Sequence, residues 1–368
     1  NLFFKGHMEY AIISFSDGEK ILSWLFHQIR LSILLLFLFF SQLDIHAQTT
    51  ANLSGNNILP DSVILLDVVT VEGFSLSNKL RTLPGNLSVL AGKSLNLSDG
   101  TNMATTLNAI PGVSMQSGTY ATNRIVIRGM GSRTPYNTNR IRSYLNDIPL
   151  TSSDGVSAPE EIDPQSLDRI EVLKGPASAL YGSGLGGSIN LYTPYRLQNQ
   201  GNLSVNYGSF NTLKTNFAGA VNVKNANLWG SLSHLQSDGY RENNEYNRTS
   251  FLSTGQWKKD KFSVKSTVML IDVSSEIPSS LGITQFENDP QAAASNWAGI
   301  EGYKKYRKAL AGITLTNLLS TKLTNQFTIH GKWSNSYEKR PFNNLTAQTF
   351  SAGMRNNLSY YRIKTDWV

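Results

Sequence analysis

The sequence predicts an α+β domain followed by an antiparallel transmembrane β-barrel that is present only in part. Residues 162–193 run from a β-branched strand through a Gly175-Pro176 break into a Gly- and Ser-rich stretch, which suits closely packed backbone. Beyond Pro194 the chain alternates apolar and polar residues over long segments, as half-buried strands do. Charged residues make up only 16% of the chain, below the ~25% typical of soluble domains. Together these observations favour a β-rich protein with a polar, weakly charged surface.

Composition excludes several functional classes. The net charge is +7, but the basic residues are scattered, whereas nucleic-acid binders concentrate them on one face. We therefore expect no nucleic-acid partner. The chain has no cysteine, and its five histidines are not paired at ligand spacing, which predicts no structural metal and no cofactor.

The amino-terminal region has the pattern of a secretory signal peptide. Residues 31–40 are apolar except for Ser32, follow Arg30 and precede a small residue, Ala47. About ten apolar residues are too few to span a bilayer of about 30 Å, so we expect cleavage after Ala47. A buried core helix is the alternative. The preceding residues indicate translated upstream sequence, with the true start at Met8 or near Leu22.

Strand and loop lengths distinguish a barrel from a sandwich. The alternation predicts strands near 202–209, 212–224, 226–238, 249–258, 261–274, 306–319, 321–339 and 354–368. Longer loops are expected at 239–248, 275–305 and 340–353, and short turns between the other strands. Strands of this length exceed the usual mode of about five or six residues, and alternating short and long connections are typical of outer-membrane barrels.

Four ordered segments carry a resemblance to a known family. They are Thr105–Val113 (TTLNAIPGV), Arg124–Gly131 (RIVIRGMG), Ser143–Leu150 (SYLNDIPL) and the stretch 162–193. In this order they resemble the plug domain of TonB-dependent outer-membrane receptors. One departure is Asn146-Asp147 where Asp-Gly is usual, and an Asn-Asp turn still tolerates left-handed backbone.

The Gly-rich element alone is compatible with a phosphate loop, but two features argue against it. The glycines at 182–187 lead into a strand, not a helix, and no lysine accompanies them. Phosphate loops need a glycine run that opens a helix.

The resemblance implies roles for individual residues. Asp67, Val68, Val69, Thr70 and Val71 resemble the TonB box, which pairs with TonB, itself energised by ExbB and ExbD; the alternative is simply the first strand of the next domain. Arg128 would latch the plug to glutamates of the barrel. The residues expected to contact substrate are Tyr120, Arg133, Tyr136, Asn139 and Arg140, because guanidinium groups suit an anionic iron chelate. The alternative for the arginines of this region is structural pairing with carboxylates.

The resemblance also implies the domain organisation. We expect an upstream extension and signal peptide (1–47), a periplasmic segment with the TonB box (48–76), a plug domain (77–195) and the amino-terminal part of the barrel (196–368). An eight-stranded barrel is filled by its own side chains, whereas a plugged lumen needs about 22 strands. We therefore expect a fragment with about eight of those strands, arranged as an open sheet with two unpaired edges.

The function implied is TonB-dependent import of a scarce large solute across the bacterial outer membrane, with outer-membrane lipid as surroundings. A ferric siderophore is the favoured cargo, and cobalamin or an oligosaccharide is the alternative. No catalysis is expected. A secreted β-rich adhesin or enzyme is the remote alternative, and the sequence shows no catalytic constellation to support an enzyme.

Overall fold

The computed structural model describes residues 70–71, 78–79, 86–92, 95, 100–134, 136, 138–152, 155–176, 184–195 and 199–360. These residues belong to one compact unit, Asp67–Val368. The expected signal peptide, the TonB-box residues Asp67, Val68 and Val69, and residues 361–368 lie outside the described residues.

The first half of the unit is the α+β domain. Its strands are β1 (Thr70–Val71), β2 (Asn78–Lys79), β3 (Leu87–Ala91), β4 (Val113–Thr119), β5 (Thr122–Ile127), β6 (Ile141–Leu145), β7 (Ile148–Pro149), β8 (Arg169–Lys174) and β9 (Gly187–Tyr192), with helix α1 (Met103–Asn108). A mixed sheet has the order β3-β8-β9-β6-β7, in which only β6 and β9 are parallel. Strands β1 and β2 form one hairpin, and β4 and β5 form another. Ile170, Ile189 and Leu191 are fully buried in the core beneath the sheet.

Local chemistry explains the turns that the sequence predicts. The Asn102 side chain caps α1 by accepting the Ala104 amide at 2.8 Å. The helix ends before Pro111, and Gly112 turns into β4 with φ +79°. The helix-to-strand turn is therefore confirmed. Asn146 and Asp147 both have positive φ and join β6 to β7 as a tight hairpin, which confirms the turn expected there.

One glycine of the Gly-rich stretch is required by close packing. Gly187 has φ +133°, and a Cβ there would collide with the carbonyl oxygen of Leu173 on the neighbouring strand. This position confirms that the glycines let backbone approach backbone.

The second half of the unit is one antiparallel sheet, which we call the wall. Its strands are β10 (Gln200–Gly208), β11 (Thr212–Val223), β12 (Ala226–Ser237), β13 (Tyr246–Lys259), β14 (Phe262–Glu276), β15 (Tyr303–Leu318), β16 (Leu323–Lys339) and β17 (Asn344–Tyr360). Each strand pairs with the next along the chain, so β10 and β17 are the two edges of an open sheet. The expectation of an open array of about eight strands is confirmed.

The two ends of the wall differ in their connections. Tight turns, such as 224–225 and 260–261, join the strands at one end, which we call the turn end. The opposite end, the loop end, carries the connections 238–245 and 277–302. The longer one contains short helices α2 (Ile283–Asn288) and α3 (Ser295–Ala298). Among the described residues, no helix has the length and hydropathy of a membrane-spanning helix.

One expected loop is wrong. Residues 340–353 were expected to form a long loop, but the connection spans only 340–343 and β17 begins at Asn344. The first outward-facing residues of β17, Asn344, Thr346 and Gln348, are polar, so the apolar outward face of this strand begins only at Phe350. The regular alternation of short and long connections therefore fails at this hairpin.

Alternate residues of each wall strand face opposite sides. On β14, Met269, Ile271 and Val273 are buried against the α+β domain, while the residues between them face outward. The outward residues of neighbouring strands lie opposite one another and form rows across the sheet. The apolar row nearest the loop end consists of Phe251, Leu270, Ala309, Trp333 and Phe350. Rows of this kind continue to Trp257 and Val264 near the turn end, about 20 Å along the strands. We call this surface the apolar belt.

Candidate functional site

The segment Pro159–Ser166 holds the α+β domain against the wall, and we call this contact region the plug seat. It consists of two 3-10 turns, Pro159–Glu161 and Pro164–Ser166. Asp163 lies between the turns, and its side chain caps the second turn by accepting the Gln165 amide at 3.0 Å. The turns thus present acidic side chains to the wall from a locally fixed backbone.

The centre of the plug seat is a fully buried ion pair. The Lys214 ammonium on β11 lies 2.8 Å from the Asp163 carboxylate, and the two side chains are 0% and 1% exposed. Lys214 also donates to the Gly100 carbonyl at 2.6 Å, and the Asn216 amide donates to Asp163 at 3.3 Å. A buried charge must be paired and hydrogen-bonded, and these partners meet that need.

A second, less buried ion pair lies beside the first. The Lys308 ammonium on β15 is 2.5 Å from the Glu161 carboxylate, with the side chains 28% and 11% exposed. On β13, Arg248 donates to the Glu160 backbone carbonyl at 3.2 Å. Desolvation by the surrounding elements, with the neighbouring Glu161 charge second, raises the pKa of Glu160 to about 7, although part of the residue still reaches solvent.

Further hydrogen bonds, without an ion pair, join the α+β domain to the wall. The Asn146 amide donates to Thr193 at 2.8 Å and to Thr267 on β14 at 3.1 Å. The Ser166 and Ser231 hydroxyls are 2.9 Å apart, and Lys332 donates to the Thr151 carbonyl. The positive φ of Asn146 therefore has a second consequence: the hairpin turn aims the amide at the wall.

The Arg128 side chain lies within the α+β domain. Its guanidinium donates to the Lys174 carbonyl at 3.3 Å, and its own backbone has φ +48°. The ion pairs of the described residues do not join it to a wall glutamate. Burial, together with the nearby Arg128 charge, lowers the pKa of Lys174. The Arg128 latch stays a prediction.

Other arginines of this region donate to uncharged acceptors. Arg124 donates to the Gln116 side chain, and Arg142 donates to the Gly155 carbonyl at 2.9 Å.

A cleft of about 430 Å³ opens at the loop end, where the β4–β5 hairpin meets the wall loops. Gly118, Thr119, Ala121 and Thr122 of the β4–β5 hairpin line one side of it. The larger side chains that line it are Tyr136, Arg241, Ile277, Trp297, Lys304, Glu338 and Arg340. Cations and aromatic rings from the α+β domain and from three different wall segments therefore meet in one cavity.

The cations of the cleft are held differently. Arg241 clasps the long loop by donating to the carbonyls of Ser279 at 2.6 Å and Ala292 at 2.9 Å, and burial lowers its pKa. Arg340 donates to the Glu338 carboxylate at 2.7 Å, which raises the pKa of the arginine. Lys304 lies with its ammonium 5.7 Å from the centre of the Tyr306 ring and makes no ion pair among the described contacts.

The structure places the sequence-predicted substrate residues in different surroundings. Tyr136 lines the cleft. Tyr120 lies at the tip of the β4–β5 hairpin and packs its ring 4.8 Å from that of Tyr246 on β13. Arg133, Asn139 and Arg140 are exposed but do not line the cleft.

Sequence reasoning missed the cleft residues from the wall. Lys304 and Arg340 lie at strand ends, where the sequence shows only ordinary charged residues beside loops. The signal available was Trp297 within a long polar loop, since a large aromatic residue there is unusual unless it packs or binds. Lys214 gave no signal, because a single lysine on an alternating strand is normally solvated.

The α+β domain matches a known family of protein domains. Residues 79–189 match the family model described as the TonB-dependent Receptor Plug Domain. A stretch of 129 residues is 33% identical to the iron-regulated outer membrane virulence protein of Vibrio cholerae serotype O1, covering 34% of this chain and 19% of that protein. Another, of 133 residues, is 27% identical to the vitamin B12 transporter BtuB of Photobacterium profundum, covering 35% and 21%. The chain thus spans about a fifth of the length of these curated relatives.

A solved structure extends the likeness to the wall. The ferric citrate transporter FecA in its unliganded form superposes with a TM-score of 0.68 at 16% identity, covering 81% of this chain and 48% of that one. At this identity the likeness shows the fold alone, namely a plug domain with antiparallel barrel strands beside it.

Proposed function

We propose that this chain, which is a TonB-dependent receptor of the outer membrane by its plug domain and barrel strands, imports a scarce iron chelate. The observation that carries the proposal is the cleft at the loop end. Residues of the plug and residues of the wall loops line it together. A ligand bound there contacts the plug and the loops together, which is the arrangement needed for cargo binding to influence the plug.

The lining of the cleft supports an anionic, aromatic or chelate cargo. Lys304 and Arg340 supply positive charge, and guanidinium and ammonium groups bind carboxylate and hydroxamate oxygens with charge-assisted hydrogen bonds. Trp297 and Tyr136 supply flat apolar surface beside these charges. A ferrioxamine receptor of Yersinia enterocolitica, 33% identical over 121 residues, supports the same class of cargo.

Cobalamin is the second candidate, because a vitamin B12 transporter is among the relatives. The two cargoes place different demands on the cleft. A chelate with negative charge gains from Lys304 and Arg340, whereas cobalamin binding depends less on these cations and more on fit.

We further propose that TonB supplies the energy by pairing with the strand that contains Thr70 and Val71. These residues pair in antiparallel register with Asn78 and Lys79, so the segment already has strand geometry. A partner strand adds most readily to backbone of this kind. Pulling on this segment, with ExbB and ExbD as the energy source, would then strain the plug seat.

Growth tests separate these cargoes. A deletion strain is grown on defined ferric chelates under iron limitation, and separately on cobalamin as a required vitamin. The proposal expects loss of growth on at least one chelate and restoration by the full-length gene. Unchanged growth on every chelate, with loss of growth on cobalamin, would replace the iron assignment by the second candidate.

Binding measurements locate the cargo. Lys304→Gln with Arg340→Gln should weaken binding of that chelate at least tenfold, since charge-assisted contacts contribute about 1.5–3 kcal/mol each. Lys322→Gln with Lys261→Gln, at the turn end, is the matched control and should bind as the wild type does. Equal affinity of the cleft variant and the control would remove the cleft as the binding site.

A further inference from the structure

The long loop, residues 277–302, is closed at its neck by Asn243 of the neighbouring connection. The Asn243 side-chain amide donates to the Ile277 carbonyl at 2.9 Å and to the Gly302 carbonyl at 3.0 Å. The Ile277 amide also donates to the Gly302 carbonyl at 2.9 Å. The two ends of the loop are therefore joined to each other and to a third segment.

Arg241, two residues before Asn243, fixes the interior of the long loop. Its guanidinium donates to the carbonyls of Pro278 at 3.4 Å, Ser279 at 2.6 Å and Ala292 at 3.1 and 2.9 Å. A guanidinium has five N–H donors in a planar fork, and these hydrogen bonds engage most of them. Because the acceptors come from both arms of the loop, Arg241 holds the arms together.

Glu242 adds two contacts between the same segments. Its amide donates to the Gln291 carbonyl at 2.8 Å, and its carboxylate accepts the Ala293 amide at 3.4 Å. Ala292 and Ala293 are both buried. We call the three consecutive residues that hold the long loop the clasp: Arg241, Glu242 and Asn243.

The long loop that the clasp holds forms one side of the cargo cleft. Its lining residues are Ile277, Ser279, Ser280 and Trp297. A Cβ at Gly302 would collide with the Trp297 ring, so the ring packs against the neck of the loop. Arg241 also lines the cleft, but carbonyls of the loop engage most of its donors. The clasp therefore acts on a cargo through the loop.

We propose that Arg241 and Asn243 are positioning residues that keep the long loop in place, so that the cleft is formed before cargo binds. This inference rests on the proposed function, because it assigns the clasp to the cargo cleft. The hydrogen bonds of the clasp join protein groups, so they do not depend on cargo. Ordering a free loop during binding costs conformational entropy, and a loop that is already ordered avoids most of that cost.

Amide hydrogen exchange of residues 277–302 in the purified, cargo-free full-length receptor tests the clasp directly. Arg241→Lys keeps the positive charge, but a single ammonium cannot span the carbonyls that the planar fork reaches together. The loop amides should exchange at least about a hundredfold faster, since about two charge-assisted hydrogen bonds are lost. Arg307→Lys, the same substitution on the outward face, is the matched control and should exchange as the wild type does. Equal loop exchange in Arg241→Lys and the control would overturn the proposal.

Binding kinetics test whether the clasp acts through position or through contact. Ferric citrate, a ferric hydroxamate and a ferric catecholate are each mixed with the receptor, and binding is followed by tryptophan fluorescence. Arg241→Lys should bind about tenfold more weakly through slower association, with an unchanged dissociation rate, because only about a tenth of the receptors then have an ordered loop. Weaker binding through faster dissociation would mean that Arg241 contacts the cargo itself and would overturn the proposal. Wild-type affinity combined with faster loop exchange would overturn it too.

The two measurements separate this inference from the proposed function. If the wild type binds none of the three chelates, the cargo assignment fails, whereas the exchange comparison still decides whether the clasp holds the loop. Heat-modifiable migration of each variant ensures that the comparison is made on folded barrels.

Discussion

The inward and outward faces of the same wall strands differ in how they treat charge. On the inward face, the side chains of Lys214 and Asp163 are 0% and 1% exposed. Lys214 also donates a hydrogen bond to the Gly100 carbonyl, and Asp163 accepts one from the Asn216 amide. On the outward face, the Arg307–Asp272 pair is 55% and 42% exposed. The exposure of the Lys308–Glu161 pair, 28% and 11%, is intermediate between those of the other two pairs.

These differences in side-chain exposure indicate which ion pairs can hold a domain in place. A buried pair is costly to form but also costly to break, because removal of one partner leaves an uncompensated charge. An exposed pair is replaced by water with little loss. The wall therefore holds the plug through a few buried polar contacts beside its buried apolar residues, whereas the ion pair on its outward face contributes little.

The largest effect is expected at Lys214. Lys214→Met leaves the Asp163 carboxylate buried without its cation, which should destabilise docking of the plug seat by about 3–5 kcal/mol. Amide hydrogen exchange of residues 159–166 measures the free energy of local opening. The double variant Lys214→Met with Asp163→Leu should recover part of the loss, because neither charge of the pair is then left buried without the other. If exchange of the segment is unchanged in Lys214→Met, the pair does not hold the plug.

A pH effect is expected from Glu160. Its pKa rises on folding from about 4.5 to about 7, so the folded state binds the proton more tightly than the unfolded state. This contribution to stability is fully present below about pH 4.5 and is lost as pH rises through about 7. The charged and titratable groups around Glu160 are Glu161, Lys308, Tyr246, Arg248 and Tyr306.

The variant Glu160→Gln isolates this effect. The opening free energy of the plug seat, measured between pH 4.5 and 7.5, should fall with pH in the wild type and have a shallower slope in Glu160→Gln. Identical slopes in the two proteins would assign the pH dependence to another group.

A smaller effect is expected at Lys308. Lys308→Gln should reduce the opening free energy by about 1–2 kcal/mol, because partial exposure lets water reach the Glu161 carboxylate. The same exchange experiment applies, with added salt as a second variable. A loss of opening free energy as large as that in Lys214→Met would contradict the proposed relation between burial of an ion pair and its contribution to docking.

The smallest effect is expected at Arg307. Arg307→Gln should change the thermal stability of the barrel in detergent by less than about 1 kcal/mol, and the difference should vanish in high salt. Unfolding is followed by loss of heat-modifiable migration. A larger loss would mean that the outward pair contributes to the wall in a way that its exposure does not explain.

Much of this architecture could be predicted from the sequence, where physical signals were local. Alternation located β11, β12 and β14 closely, because their outward residues lie in the apolar belt. The Asn146-Asp147 hairpin followed from residues that accept positive φ. The start of β17 was missed because it lies beyond the belt, where the outward residues Asn344, Thr346 and Gln348 are polar.

The candidate sites were less predictable, because they depend on contacts between distant segments. Tyr136 was expected from its place in an arginine-rich loop and lines the cleft. Lys304, Arg340 and Lys214 gained significance only when strand register placed them beside the plug. Contacts between segments that are distant in the chain leave no recognisable pattern in the sequence of a single strand.

We propose that cargo enters only when TonB releases the plug from the wall. The chain has no cysteine, and the Ser166 and Ser231 hydroxyls are 2.9 Å apart across the plug seat, so Ser166→Cys with Ser231→Cys can form a disulfide there. The measurement is uptake of radiolabelled iron, as the chelate identified by growth, in cells with this variant. We expect normal binding throughout, uptake only in cells with TonB, a block when the disulfide is oxidised and recovery on reduction. Uptake that proceeds equally without TonB and with the plug tethered would mean that cargo entry does not need release of the plug from the wall.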